Sequence, residues 1–254
     1  MIRTAALLTC GLLLATAAHA TDVTIGRATE HNALDPLYSD LGNDVSTAEN
    51  MFDSMIRFDS RLQIQPALAV SWTLLDPRTW EIKLRQGVKF HDGTDFTAAD
   101  VAFSLKRARS VPNSPGPLSS FVRTVRDTEI VDAHTIRVHT DPPTPLLMDM
   151  IGRIFIIPAA LGPQVTTEDF NAGRATIGTG PYRLKASLPG DRVTMEANPA
   201  YWGHAPEFGT VTLRFLANPA ARSAALLSGA VDVIEQIPPS DIGVFQNRPD
   251  TTLF

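Results

Sequence analysis

The chain has 254 residues, 44% of them hydrophobic and 19% charged, and a formal charge of −5. That mild acidity speaks against nucleic acid or an anionic membrane surface as a partner, and the aliphatic content is ample for a sizeable core in one or two domains. Arg3 is followed by an apolar run from Ala5 to Ala18 and by Ala18-His19-Ala20. A charged start, a short apolar stretch and a small-x-small site make a secretory signal peptide, with cleavage expected after Ala20. The apolar run is too short to span a bilayer comfortably. Cys10 is the only cysteine and lies inside that run rather than at its end, which argues against lipidation. Cleavage would remove Arg3, turn −5 into −6, and leave 234 residues without a cysteine. Such a chain is held by its core and not by disulfides.

Val23 to Gly26 reads as a short alternating strand, and the segment from Arg27 to Pro36 as a polar connection. The spacing of Ala48, Met51, Phe52 and Met55 predicts a helix over 46–56 with Ser46 or Thr47 as its N-cap. Residues 64–72 are expected to pack a helix end and an aromatic, Trp72, into the core. Trp80, Ile82 and Leu84 alternate with Glu81, Lys83 and Arg85, a strand with one buried face. Gln86-Gly87 interrupts it, Val88 to Phe90 resumes it, and His91-Asp92-Gly93 closes it as a turn. Thr97 and Asp100 form a capping box with Asp in the usual Glu position. Val101, Leu105 and Ala108 then follow at helical spacing until Val111-Pro112 stops the helix.

Further along, Pro112 to Pro117 is loop chemistry. Val125 to Thr140 reads as a hairpin turning at Asp132-Ala133. Leu146 to Ile151 reads as a short helix, and Ile154 to Ile157 as a buried run. In Gly178-Thr179-Gly180-Pro181 the two glycines would permit unusual backbone angles before a strand at Tyr182. Val193 to Ala197 and Val211 to Phe215 are strands, and Ala220 to Ser228 is a helix closed by Gly229. Strands and helices interleave, so the class is α/β or α+β.

Several of these stretches carry a resemblance. The run Leu84-Arg85 … Gly87-Val88 … Phe90-His91-Asp92-Gly93 … Thr97-Ala98 … Asp100-Val101 … Phe103-Ser104 resembles the family 5 extracellular solute-binding proteins of ABC importers. So do Pro66 … Leu68-Ala69 … Ser71-Trp72, Gly178-Thr179-Gly180-Pro181-Tyr182, Asn198 … Tyr201-Trp202, and Ala221-Arg222 … Ser228-Gly229 … Asp232. The resemblance implies a periplasmic binding protein type II-like lobe, mixed α+β, made of 21–45 and 176–254, with a smaller α+β domain of 46–175 inserted. The family's second lobe would be absent. It also implies a periplasmic, monomeric protein that delivers a small solute, a short peptide by preference, to an inner-membrane permease. Nickel, haem, glutathione and oligosaccharides occur as ligands among such relatives. Thr29, Glu30, His31 and Asn32, before the Leu34-Asp35-Pro36 turn, and Glu235 and Gln236, just after Asp232, would face the ligand.

No catalytic constellation competes with this. There is no G-x-S-x-G elbow and no H-E-x-x-H or H-x-x-x-H pair for zinc. The glycines at 178 and 180 lack a phosphate-loop pattern and lead into a strand. His91 and Asp92 are expected to be structural, Asp92 bonding its own turn, and His134 and His139 to be exposed. No enzyme activity, cofactor or metal is expected. A truncated fragment without transport activity is the alternative, and a secreted hydrolase is disfavoured.

Overall fold

A computed structural model describes residues 21–253. The signal-peptide reading, with Cys10 and the cleavage after Ala20, lies outside the described residues. In chain order the elements are β1 (Val23–Arg27), α1 (Gly42–Ala48), β2 (Ile56–Phe58), β3 (Ile64–Pro66), β4 (Ala69–Asp76), β5 (Thr79–Leu84), α2 (Ala98–Arg107) and α3 (Ser119–Val122). They continue with β6 (Val125–Asp132), β7 (Thr135–Thr140), α4 (Leu147–Ile151), α5 (Thr167–Asn171), β8 (Tyr182–Leu188), β9 (Arg192–Ala197), β10 (Thr210–Phe215), α6 (Pro219–Leu227), β11 (Val233–Ile234) and α7 (Ile242–Gln246).

The strands build a mixed α/β molecule. A five-stranded sheet runs β11-β1-β10-β9-β8, a four-stranded one β4-β5-β7-β6, and β2-β3 form a small pair. β1 is parallel to both β10 and β11, while every other pairing is antiparallel. In β5 the alternation puts Ile82 and Leu84 inside, beside Ile136 and Val138 of β7. Helix α2 closes over this sheet with Val101 and Leu105 buried. Its capping box forms as expected: the Asp100 carboxylate accepts from Thr97 N at 2.7 Å and Thr97 Oγ1 at 3.1 Å.

Asp35, in the connection after β1, ties that connection to α2 and α5. Its buried carboxylate takes both guanidinium nitrogens of Arg107, at 2.8 and 2.5 Å, and the Thr167 hydroxyl at 2.8 Å. The paired geometry offsets the cost of burying two charges.

Six local expectations are corrected. The helix expected over 46–56 lies at Gly42–Ala48, with Leu41 as N-cap, so Ser46 and Thr47 are interior. Ala48, Met51, Phe52 and Met55 are all buried, but the chain beyond Glu49 is drawn out by other partners. Tyr182 N bonds Asn50 O, Gly180 N bonds Met51 O, and Ile156 N bonds Asp53 O. Those bonds occupy carbonyls that a continuing helix would have used.

Residues 64–72 are not a helix end: Ile64–Pro66 and Ala69–Asp76 are strands, and β4 pairs along β5. Val88 to Phe90 does not resume a strand and makes only the isolated bridge Lys89–Asp95. Helix α2 stops at Arg107, short of Val111-Pro112.

Gly178 and Gly180 are not among the glycines with positive φ. Their need is closeness: an added Cβ would sit 2.0 and 2.4 Å from Met51 backbone atoms. His91 clamps the same loop, its Nδ1 accepting from Gly178 N at 3.2 Å and its Nε2 lying 3.1 Å from Gly180 O. Burial lowers the pKa of His91, with the bond to Gly180 opposing, which suits the neutral ring this clamp needs. Asp92 bonds its own turn through Thr94, as expected. His134 and His139, expected to be exposed, are half-buried, and His139 Nδ1 lies 3.2 Å from Thr79 Oγ1.

Candidate functional site

Because β1, β10 and β11 are parallel, their carboxyl ends open on one side, where an α/β sheet usually presents its ligand site. Arg27 ends β1 and is only 6% exposed. It donates to Thr47 Oγ1 at 3.0 Å and Ser46 Oγ at 2.7 Å, and its Nε faces Glu235 Oε1 at 3.1 Å. The Nε contact is an ion pair out of hydrogen-bond alignment. Arg222 on α6, also buried, donates to the carbonyls of Leu216, Ala217, Glu235 and Gln236 at 2.7 to 3.2 Å. One guanidinium thus ties the loop after β10 to the loop after β11.

The six sequence-expected ligand residues lie on this rim. Glu235 pairs with Arg27. Gln236 is exposed at φ 55°, a left-handed backbone angle that Arg222 holds through the carbonyl. Glu30 accepts Gly190 N at 2.9 and 3.1 Å, fixing the β8–β9 turn, and its carbonyl takes Asn43 Nδ2 at 2.6 Å. Asn32 bonds buried Asp44 through both its backbone N, at 2.5 Å, and Nδ2, at 2.9 Å. His31 packs on Phe215 with ring centroids 5.6 Å apart, and its buried Nδ1 has no partner among the described residues. Burial lowers its pKa, partly opposed by Glu30 and Asp44. Thr29 is exposed. The residues that organise the rim, Arg27 and Arg222, were missed by sequence reasoning. Arg27 shares the alternating positions of Val23 and Ile25, so an arginine in that series was the available signal.

A second feature was not anticipated. A cavity of about 610 Å³ opens between α1, residues 52–58, 118–121 and 152–155, and Tyr201 to His204. None of the six rim residues lines it. Its floor is built on Asp53, which is buried. Asp53 accepts from Thr179 Oγ1 at 3.0 Å, Trp202 Nε1 at 2.8 Å and Arg57 Nη2 at 2.5 Å. Arg57 also bonds the Tyr201 hydroxyl. Burial works against the Arg57 charge, but Tyr201 and Asp53 outweigh it and raise its pKa. The guanidiniums of Arg57 and Arg85 both lie over the Trp202 ring, 5.1 and 4.5 Å from its centroid. Thus the Asn198-to-Trp202 motif and the 178–180 loop are both anchored on one carboxylate. On another wall, burial raises the Glu49 pKa, with Arg57 opposing. Among the described residues, no group of three or more His, Cys, Asp or Glu could hold a metal ion.

The parallel strand ends carry the polar rim, the cavity lies apart from it, and comparison with solved structures identifies the fold. A nickel–histidine complex of NikZ from Campylobacter jejuni superposes with a TM-score of 0.78 at 24% identity, over 90% of this chain and 45% of that one. MoaA of A. tumefaciens R10, solved with mannopinic acid, gives 0.76 at 31% identity, over 85% and 45%. This is one lobe of the periplasmic binding protein type II fold.

In sequence, the glutathione-binding protein GsiB of Shigella dysenteriae is 27% identical over 247 residues, 95% of this chain and 47% of its own length. The chain therefore spans about half the length of the curated relatives it matches. Residues 63–253 match the model for bacterial extracellular solute-binding proteins, family 5 Middle. The chain belongs to that family, whose members bind solutes and are not enzymes.

Proposed function

We propose that this chain is the solute-capturing part of an ABC importer. It takes a short peptide or a related small solute in the periplasm and hands it, as a monomer without cofactor, to an inner-membrane permease. Export would follow cleavage after Ala20. The observation that carries this reading is the family match across residues 63–253. A cavity of about 610 Å³ supports it, lying within the range of small-molecule sites. Two relatives, GsiB and MoaA, bind glutathione and mannopinic acid, both small carboxylic acids.

The division into a lobe of 21–45 plus 176–254 and an insert of 46–175 is supported by the sheets. The five-stranded sheet draws only on the first set of residues and the four-stranded sheet only on the second. Among the rim residues, Thr29, His31 and Gln236 keep side chains free of hydrogen bonds to described residues, and these would meet the ligand directly. Glu30, Asn32 and Glu235 would shape the rim around it.

A thermal melt of the full-length protein with short peptides, glutathione, sugars and nickel–histidine tests the reading. A ligand at a hundredfold excess over its Kd adds about 2.7 kcal/mol to the folded state, so at least one solute class should raise the Tm. A cooperative melt that no solute moves would overturn it.

A further inference from the structure

The half-buried ring of His91 is bonded to the Gly178-Thr179-Gly180 loop from both of its nitrogens. His91 N also donates to Gly178 O at 2.8 Å, so the contact is fixed by backbone as well as side chain. Gly178 N donates to Nδ1 at 3.2 Å, and Nε2 lies 3.1 Å from Gly180 O. Because Nδ1 accepts, the ring proton sits on Nε2 and is donated to the Gly180 carbonyl. This clamp is built for the neutral ring.

A proton on Nδ1 would set two donors against each other and leave the buried Gly178 amide without an acceptor. The loop cannot relax toward Met51, whose backbone already lies too close for a Cβ at Gly178 or Gly180. It has to give way in the other direction, and Thr179 moves with it. Thr179 is fully buried and donates to Asp53 at 3.0 Å, and the same carboxylate holds Trp202 and Arg57. Asp53, Arg57, Pro181 and Tyr201 line the cavity, so a short chain of bonds joins the ring to the cavity wall.

Burial is the largest influence on the ring and lowers its pKa. The bond to Gly180 and the charges of Asp53 and Asp92 oppose it, and Arg183 adds to it. The clamp is therefore closed at neutral pH and yields in acid.

We propose that His91 is a positioning residue for the cavity and makes solute binding acid-sensitive. Its neutral ring holds the 178–180 loop and the Asp53 cluster in the binding arrangement, and protonation loosens both and weakens the grip on the solute. This rests on the solute-binding reading above.

Titration calorimetry on the full-length protein would use Ala-Phe, glutathione and maltotriose, whose own charges stay fixed between about pH 5 and pH 7. NMR of histidine- and glycine-labelled protein would follow the His91 ring and the Gly178 and Gly180 amides without solute. The amide signals should titrate with the ring. The Kd should rise below the ring pKa so measured, toward about tenfold per pH unit, as the neutral, binding-competent fraction falls. H91Q, whose amide keeps an acceptor and a donor but does not titrate, should remove the pH dependence.

A ring that stays neutral across that range, glycine amides that ignore its titration, a Kd unchanged by acid, or a rise that survives H91Q would overturn the role of His91. Each would leave the solute-binding reading intact. A protein that binds none of the probes at any pH would overturn both.

Discussion

The charged groups of the strand-end rim are all engaged, whereas those of the cavity are engaged only around Asp53 and Arg57. On the rim Arg27 is matched to Glu235, Glu30 to Gly190, and Asn32 to Asp44. In the cavity Arg153, Asp40 and Glu49 are left without ion pairs among the described residues. A charged residue beside a cleft is therefore weak evidence of ligand contact, since the fold consumes many such groups to satisfy its own loops. The unspent groups are the informative ones, because holding them in place without a partner gains nothing for stability.

The contrast can be broken by substitution, beginning at the foot of the rim segment. Asp35→Ala would strand the Arg107 guanidinium, whose side chain is only 11% exposed. It is expected to cost about 3–5 kcal/mol by denaturant titration. Gly178→Ala would drive a methyl against the Met51 carbonyl, and about 3 kcal/mol is expected from the same measurement.

Arg27→Met should cost about 1–2 kcal/mol, most of it from the Ser46 and Thr47 bonds. Glu235 is 42% exposed, so the ion pair itself contributes at the low end. Glu49→Gln in the cavity should move stability by no more than about 0.5 kcal/mol. A loss there as large as at Arg27 would end the distinction.

The smallest effect concerns acid. The folded-state pKa of His91 is lowered by burial, so the unfolded chain binds the proton more readily. Its contribution is full above the ordinary value of 6.5 and falls away as pH drops from there toward the folded pKa. His91→Gln should flatten that part of the stability–pH curve, and an unchanged slope would assign it to His31, whose pKa is lowered likewise.

Much of the fold was legible in advance. The alternation at Trp80 to Leu84, the capping box at Thr97 and Asp100, and the hairpin over Val125 to Thr140 are local patterns. Each specifies its own element with little help from the rest of the chain. The helix expected at 46–56 failed for the opposite reason. Its apolar spacing was right for burial, but the carbonyls of Asn50, Met51 and Asp53 were claimed by backbone amides more than a hundred residues away. The glycines at 178 and 180 were correctly singled out and wrongly explained, because a close approach to Met51 leaves no mark in the local sequence.

The sequence by itself determined the mixed α/β class, the order of most elements, and the family. Periodicity, caps and turns are written in neighbouring residues, and motifs carry descent. Only the tertiary structure decided which polar groups are spent and which are free. That depends on partners such as Arg27 with Glu235, or Asp53 with Trp202, separated by long stretches of chain and joined only when the sheets pack.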